Sequence, residues 1–315
     1  MKFDTHSPIA IVIPVHNSLP MLQRTLVLLN GLESTSAHVI IVDDGSTDGT
    51  AAFLRERTDL TTLTGSGSLW WTGAVDIGSR YAISAGAEAV VLWNDDNIAS
   101  STLCIDHLVK HVHKSGGCAS PVVLQESPDG SRTVAAAGGD VDWTAGGVRL
   151  SSVGQSYEPS NTVVHCPWLP GNALAFSATL FEQLGGFDAR RFPQYRGDAD
   201  FTLRATAAGA SCATIYSCWI VNDRARTGMN FQERVSPSAF INGLRSRKSN
   251  YHVPSTLRFY LRHCPKRYLP VTVPIFYAKY VYASLKTWRP GSKRASAATA
   301  NETSSLRGNA GTRTP

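Results

Sequence analysis

Two stretches put carboxylates where an apolar run stops, "VDD" at Val42–Asp44 and "NDDN" at Asn94–Asn97, and a third, "GDAD" at Gly197–Asp200, puts them at a helix start. Adjacent carboxylates such as Asp95 and Asp96 repel each other, and become favourable together when a hard divalent cation neutralises them. The plain alternative is a strand followed by a polar turn. Asn94 and Asp96 stand in D-x-D spacing with Asn replacing the first Asp. One or two carboxylates completed by phosphate oxygens are the usual way to hold Mg2+ or Mn2+ at a diphosphate, whose departure the ion assists as a Lewis acid. In "VDDGSTDGT" the paired carboxylates can bind the N–H and hydroxyl groups of a nucleoside; the alternative is a strand–turn–helix junction with Asp48 as a cap and Asp43 or Asp44 in an Asx turn. Asp198 and Asp200 fall at a helix start, where the macrodipole favours carboxylates whatever they do. Read functionally, Asp198 is a general base on an acceptor hydroxyl, and Gly197 leaves room for a bound molecule to approach.

The elements that must position these groups alternate. "IAIVIPV", "HVIIVDD" and "AVVLWNDDN" read as buried strands, interleaved with helical spacing in "LPMLQRTLVLLNGL", in a segment capped by Thr47 or Asp48, and in "TGAVDIGSRYAISAGA" after a "GSGSLWW" loop. Strand–helix alternation at this length predicts βαβ units and a mostly parallel central sheet flanked by helices. Ligands of such sheets bind beyond the carboxyl ends of the strands, where "PVHN", "VDDGS" and "WNDDN" all fall. Gly117 to about Pro170 carries short strand candidates with Gly-rich turns, a β-rich insertion or antiparallel extension. Helices then return as "SATLFEQL" and "DADFTLRATAAG", and "SCATIYSC" is the last strand.

The bulk properties narrow the classes. With 315 residues, 43% hydrophobic and 17% charged, the chain can bury a sizeable core. No apolar run reaches the roughly 18 residues of a membrane span, and no signal peptide precedes the first strand, so a cytoplasmic location is expected. The six cysteines form no C-x-x-C pair, which argues against a zinc ribbon or a disulfide framework. The first strand ends in "PVHN" rather than G-x-G-x-x-G, and no phosphate-loop motif occurs, which disfavours dinucleotide-binding domains and phosphate-loop ATPases.

Taken in order, "IPVHN", "IIVDDGSTDGT", "LWNDDN", "LPGNALAFSATLFEQLGGFD" and "YRGDADFTLRATAAG" resemble the bacterial family-2 glycosyltransferases of GT-A fold, over roughly residues 8 to 225. "GSLWWTGAVDIGSRYAI" is similar to a rhamnosyltransferase-like, polysaccharide-assembly subgroup. The resemblance implies a nucleotide site at Pro14, Val15 and Asn17, with Asp44 on the nucleobase and Asp95 near the ribose. It implies that Asp96 holds the metal, Mg2+ or Mn2+, and that Asp198 is the catalytic base. Donor and acceptor sugars are then expected at Trp70, Trp71, Gly171, Asn172 and Asp200, although paired tryptophans also serve cores. Two positions depart from the family: Gly197 stands where Glu often precedes the catalytic Asp, and "IVNDRARTG" has Asn222, Asp223 and Arg224 where a His is common. Arg224 or Arg226 is therefore expected to neutralise the diphosphate.

The resemblance implies transfer of a sugar from a UDP- or dTDP-linked donor to a saccharide or lipid-linked acceptor, with no nucleic-acid partner. The rivals are a nucleotidyltransferase, disfavoured by the missing Gly-rich first loop, and a non-catalytic sugar-binding protein. Three regions are expected: a GT-A domain at 1–228, a basic aromatic and helical extension at 229–290, and a disordered tail at 291–315. The extension has no Asp or Glu from Arg234 to Arg294, which points to an anionic neighbour. Its "YLPVTVPIFYAKYVYASL" suits either the inner face of a membrane, as a peripheral contact, or packing against the core.

Overall fold

The computed structural model describes residues 7–32, 36–127, 129–222 and 236–287. Its centre is a ten-stranded mixed sheet among the described residues. Strand β1 (Ile9–Val15) pairs in parallel with β2 (His38–Asp43) and β4 (Ala89–Leu92), and β2 pairs in parallel with β3 (Thr61–Thr64). Along β1, Ile11 and Ile13 enter one core cluster while Ala10 and Val12 enter the other, so the apolar run is continuous because both faces are covered. Helices α1 (Leu19–Asn30) and α4 (Cys104–Ser115) cover the first face; α3 (Trp70–Ser84), α5 (Ala178–Leu184) and α6 (Gly197–Ala207) cover the second. Helix α2 (Thr50–Arg55) is short.

The antiparallel extension exists. Strand β11 (Ala175–Ser177) runs against both β4 and β6 (Cys118–Glu126), and β12 (Cys212–Asn222) lies parallel to β6. Strands β5 (Asn97–Ser100) and β10 (Val163–His165) pair antiparallel with β12, and β7 (Arg132–Ala136) with β6. A separate hairpin, β8 (Gly139–Asp142) with β9 (Gly147–Leu150), stands outside the main sheet. All six cysteines are free and buried.

The extension is helical: α7 (Pro237–Arg245), α8 (Val253–His263) and α9 (Leu269–Thr287), with Pro274 inside α9. One side packs on the core. Phe259 and Tyr260 join Trp168 and Phe192 in an apolar cluster, and the Tyr260 hydroxyl donates to Gly146 O at 2.8 Å. The other side leaves Leu261 and Tyr282 70% and Leu285 61% exposed. No helix among the described residues is long and apolar enough to cross a membrane. The boundary expected at 228 and the tail at 291–315 lie outside the described residues.

Candidate functional site

The parallel pairing sets the site's floor. Val15 stands opposite Asp43 and Val12 opposite Leu92, so the carboxyl ends of β1, β2 and β4 deliver "PVHN", "VDD" and "NDDN" to one sheet edge. Asn17 adopts φ +51° and its Oδ1 accepts from Thr47 N at 2.7 Å, which ties the ends of β1 and β2 together beside Pro14 and Val15. Asp43 takes the Asx role, accepting from Ser46 N at 3.0 Å. Asp48 is structural: its carboxylate accepts from Thr50 N and Oγ1 and from Leu19 N, serving two helix starts. The Thr50 hydroxyl, then the Leu19 N–H, pull its pKa down to about 2. The N-cap position of α2 is Gly49, not Thr47 or Asp48.

Asp44 is almost fully buried, and its two oxygens accept from Gly67 N at 2.7 Å and Trp70 N at 3.0 Å. It therefore caps α3 from 26 residues upstream, and Trp70 and Trp71 start that helix rather than sitting in the loop before it. The nucleobase contact expected of Asp44 is left to the lone pairs these bonds do not use. Trp70 takes φ +59°, a costly conformation for a bulky residue.

Trp71 is the centre of the arrangement. Its indole N–H donates to Asn94 Oδ1 at 2.9 Å, and its backbone N–H donates to Gln194 Oε1 at 3.1 Å. The edge of its six-membered ring comes so close to Gly171 that a methyl group there would stand 2.6 Å from it. Gly171 N in turn donates to Asp198 Oδ2 at 2.8 Å, and Ala199 N donates to Asp198 Oδ1 at 2.8 Å. Asp198 is half-buried. Burial pushes its carboxyl above the ordinary 3.8, against the pull of the Ala199 and Gly171 N–H groups. Asn172 and Ala173 continue the turn, Ala173 at φ +51°.

At the "NDDN" edge, Asp95 and Asp96 are half-buried, and Asp95 O accepts from the Thr25 hydroxyl at 2.8 Å. Asp96 Oδ1 accepts from Asn222 Nδ2 at 2.7 Å. Asn222 thus reaches the carboxylate from the end of β12, at the place where the family often has His. Asp223, Arg224 and Arg226 lie outside the described residues. No cluster of three or more His, Cys, Asp or Glu side chains exists among the described residues, which does not suit an all-protein metal cage. A single oriented carboxylate at a strand end does fit Mg2+ or Mn2+ that takes its other ligands from phosphate and water.

Two expectations change. Gly197 does not leave room for a ligand: a Cβ there would meet the Thr72 methyl at 2.7 Å, so helix α3 fills that space. Asp200 does not face the sugar site. It is fully buried, and its oxygens bind Arg204 Nε at 3.0 Å and Arg262 Nη1 and His263 Nε2 at 2.8 Å. Burial raises its pKa, but His263, Arg204 and Arg262 together outweigh it and hold the carboxyl below its ordinary value. Asp200 anchors α6 to α8.

Sequence reasoning missed Arg196. It takes φ +73°, is 6% exposed, and its guanidinium lies 4.9 Å from the Phe259 ring centroid and 5.0 Å from that of Phe276. Its Nη2 donates to Asn250 O at 3.2 Å. The extension thus grips the residue two positions before Asp198. The available signal was the aromatic-rich, carboxylate-free run that supplies the rings.

Residues 10–139 match the family described as Glycosyl transferase family 2. The fold is similar to that of a mannosyltransferase from Pyrobaculum calidifontis solved with GDP-Man and Mn2+ (TM-score 0.54, 17% identity, 88% of this chain and 75% of that one covered). It is also similar to GalNAc-T7 solved with UDP, GalNAc and Mn2+ (TM-score 0.55, 13% identity), matching 89% of this chain but 57% of that one. No curated protein matches the sequence. The resemblance to family-2 glycosyltransferases is borne out over residues 10–139, and the GT-A fold over most of the chain.

Proposed function

We propose that the chain is an inverting glycosyltransferase that moves a sugar from a nucleoside-diphosphate sugar, UDP- or dTDP-linked, to a hydroxyl of a saccharide or lipid-linked acceptor, within cell-envelope or extracellular polysaccharide assembly. The observation that carries the reading is the bridge through Trp71. One ring joins Asn94 at the "NDDN" edge to Gly171, and Gly171 holds the Asp198 carboxylate. The proposed diphosphate edge and the proposed base are thereby linked through one side chain of α3.

In this mechanism Pro14, Val15, Asn17, Asp44 and Asp95 shape the nucleoside pocket, and Trp70, Trp71, Gly171 and Asn172 shape the sugar surfaces. Asp96, oriented by Asn222, would hold Mg2+ or Mn2+, and Arg224 or Arg226 would neutralise the same phosphates. When bound, the ion offsets charge on the departing nucleoside diphosphate. Asp198 takes the proton from the acceptor hydroxyl as its oxygen attacks the anomeric carbon, and its raised pKa makes it a stronger base than an ordinary aspartate. The division into 1–228 and 229–290 is kept as a functional one, with the extension bracing Arg196 and Asp200. Exposed Leu261, Tyr282 and Leu285, in a segment without carboxylates, support peripheral contact with an anionic membrane at its cytoplasmic face.

Calorimetric titration with UDP, dTDP and GDP, in Mn2+ and then in EDTA, tests the reading. Metal-dependent binding of one of them is expected; a folded protein that binds none would overturn it.

A further inference from the structure

Beside the donor edge, between the start of α3, the loop before Pro193 and the extension, lies an open cavity of about 460 Å3. Ser68 and Gly73 line it, together with Arg190, Arg247, His252 and Arg258. Three arginines from three separate segments therefore border one space. Among the described residues, no carboxylate lines it.

The neighbouring cations are accounted for differently. Arg191 and Arg262 both bind Asp188, at 2.8 and 2.7 Å, and Arg262 also binds Asp200. Among the described residues, Arg190, Arg247 and Arg258 make no ion pair. The imidazole of His252, which lines the same cavity, has its pKa lowered by burial and then by Arg247 and Arg258, as expected where positive potential accumulates. Three like charges around one cavity repel until an anion joins them, and guanidinium forks match phosphate oxygens in pairs.

The cavity also has a fixed relation to the chemistry. Ser68 belongs to the loop that Asp44 fastens through Gly67 and Trp70. Pro193 O accepts from Thr72 N at 2.9 Å, so the wall runs into the segment that carries Arg196 and Asp198.

We infer that this cavity binds the phosphate of a phosphate-bearing acceptor, a sugar phosphate or a lipid phosphate, while the acceptor hydroxyl reaches Asp198. The inference rests on the transferase reading above, and names the acceptor's chemical class.

The test titrates octyl phosphate and, as a neutral control, octyl glucoside into the protein in EDTA. The double variant Arg190→Ala/Arg258→Ala changes two exposed, unpaired side chains, and circular dichroism checks its fold. Octyl phosphate should bind the wild type and octyl glucoside should not, and the double variant should bind at least about tenfold more weakly. Equal affinity in the variant, or no preference for phosphate in the wild type, would overturn the site. Nucleoside diphosphate binding is measured in parallel and should be unchanged by the variant. Its absence from both proteins would defeat the transferase reading without touching the octyl phosphate result. Co-sedimentation then separates the sources. Preference for phosphatidate vesicles over phosphatidylglycerol vesicles, lost in the variant, supports the site with a lipid phosphate. Octyl phosphate binding without that preference supports it with a soluble sugar phosphate.

Discussion

Gly171 N donates to Asp198 Oδ2 at 2.8 Å, and the glycine's bare Cα is what lets the Trp71 ring lie against that same turn. The catalytic assignment therefore depends on contacts among three distant segments, each of which can be tested.

Asp198→Asn removes the proposed base and keeps the shape. Turnover should fall by about 10²–10⁴-fold, while nucleotide affinity measured by calorimetry stays within error. Because burial raises the Asp198 pKa, the acid limb of the wild-type rate should lie above the 3.8 of an ordinary aspartate. The base works only when deprotonated, so the rate falls as pH drops through that raised value. Normal turnover in the variant would end the assignment.

Gly171→Ala adds a methyl group 2.6 Å from the Trp71 ring and 3.3 Å from Asp198 Cβ. The indole or the carboxylate must move, at a cost of about 1–3 kcal/mol. Denaturant melts should show that loss and kcat should fall with it; an unaltered kcat would mean the turn is not part of the catalytic surface.

Asp200→Asn breaks a buried cluster with Arg204, Arg262 and His263. Stability should drop by about 3 kcal/mol, the low end for a buried pair because both arginines keep some contact with water. Asp200 has a depressed folded pKa, so its contribution is present above the unfolded value and is lost as pH falls through the folded one. The stability difference between wild type and variant should therefore shrink in acid. A difference that is flat with pH would contradict the pairing.

Asp96→Ala should abolish the Mn2+ dependence of nucleotide binding. Asn222→Ala, which removes the amide that donates to both Asp96 and Asn97, should weaken it by about tenfold. Equal, metal-responsive binding in Asp96→Ala would move the metal elsewhere.

Much of this was legible in the sequence, for identifiable reasons. The strand–helix alternation around "IAIVIPV" and "HVIIVDD" gave the sheet because a strand covered on both faces must be apolar throughout. The meeting of "PVHN", "VDD" and "NDDN" at one edge followed from parallel pairing alone. What escaped was non-local. The start of α3 at Trp70 is set by Asp44, 26 residues away, so no local cap announces it. Gly197 resembled an open approach until Thr72 filled it. Asp200, in the same four residues as Asp198, turns into the core because Arg262 and His263 arrive from α8, more than sixty residues later. Arg196 has no recognisable signal at its own position; its cage comes from α8 and α9.

The central claim is sugar transfer with Asp198 as base, and donor turnover tests it most directly. Wild type and Asp198→Asn would be incubated with UDP-, dTDP- and GDP-sugars in Mn2+, and nucleoside diphosphate release followed with and without a phosphate-bearing acceptor. The account predicts release from one donor class by the wild type, stimulated by acceptor, and none above background from the variant. Equal release by both proteins would contradict it, as would pyrophosphate release from a nucleoside triphosphate in place of donor turnover.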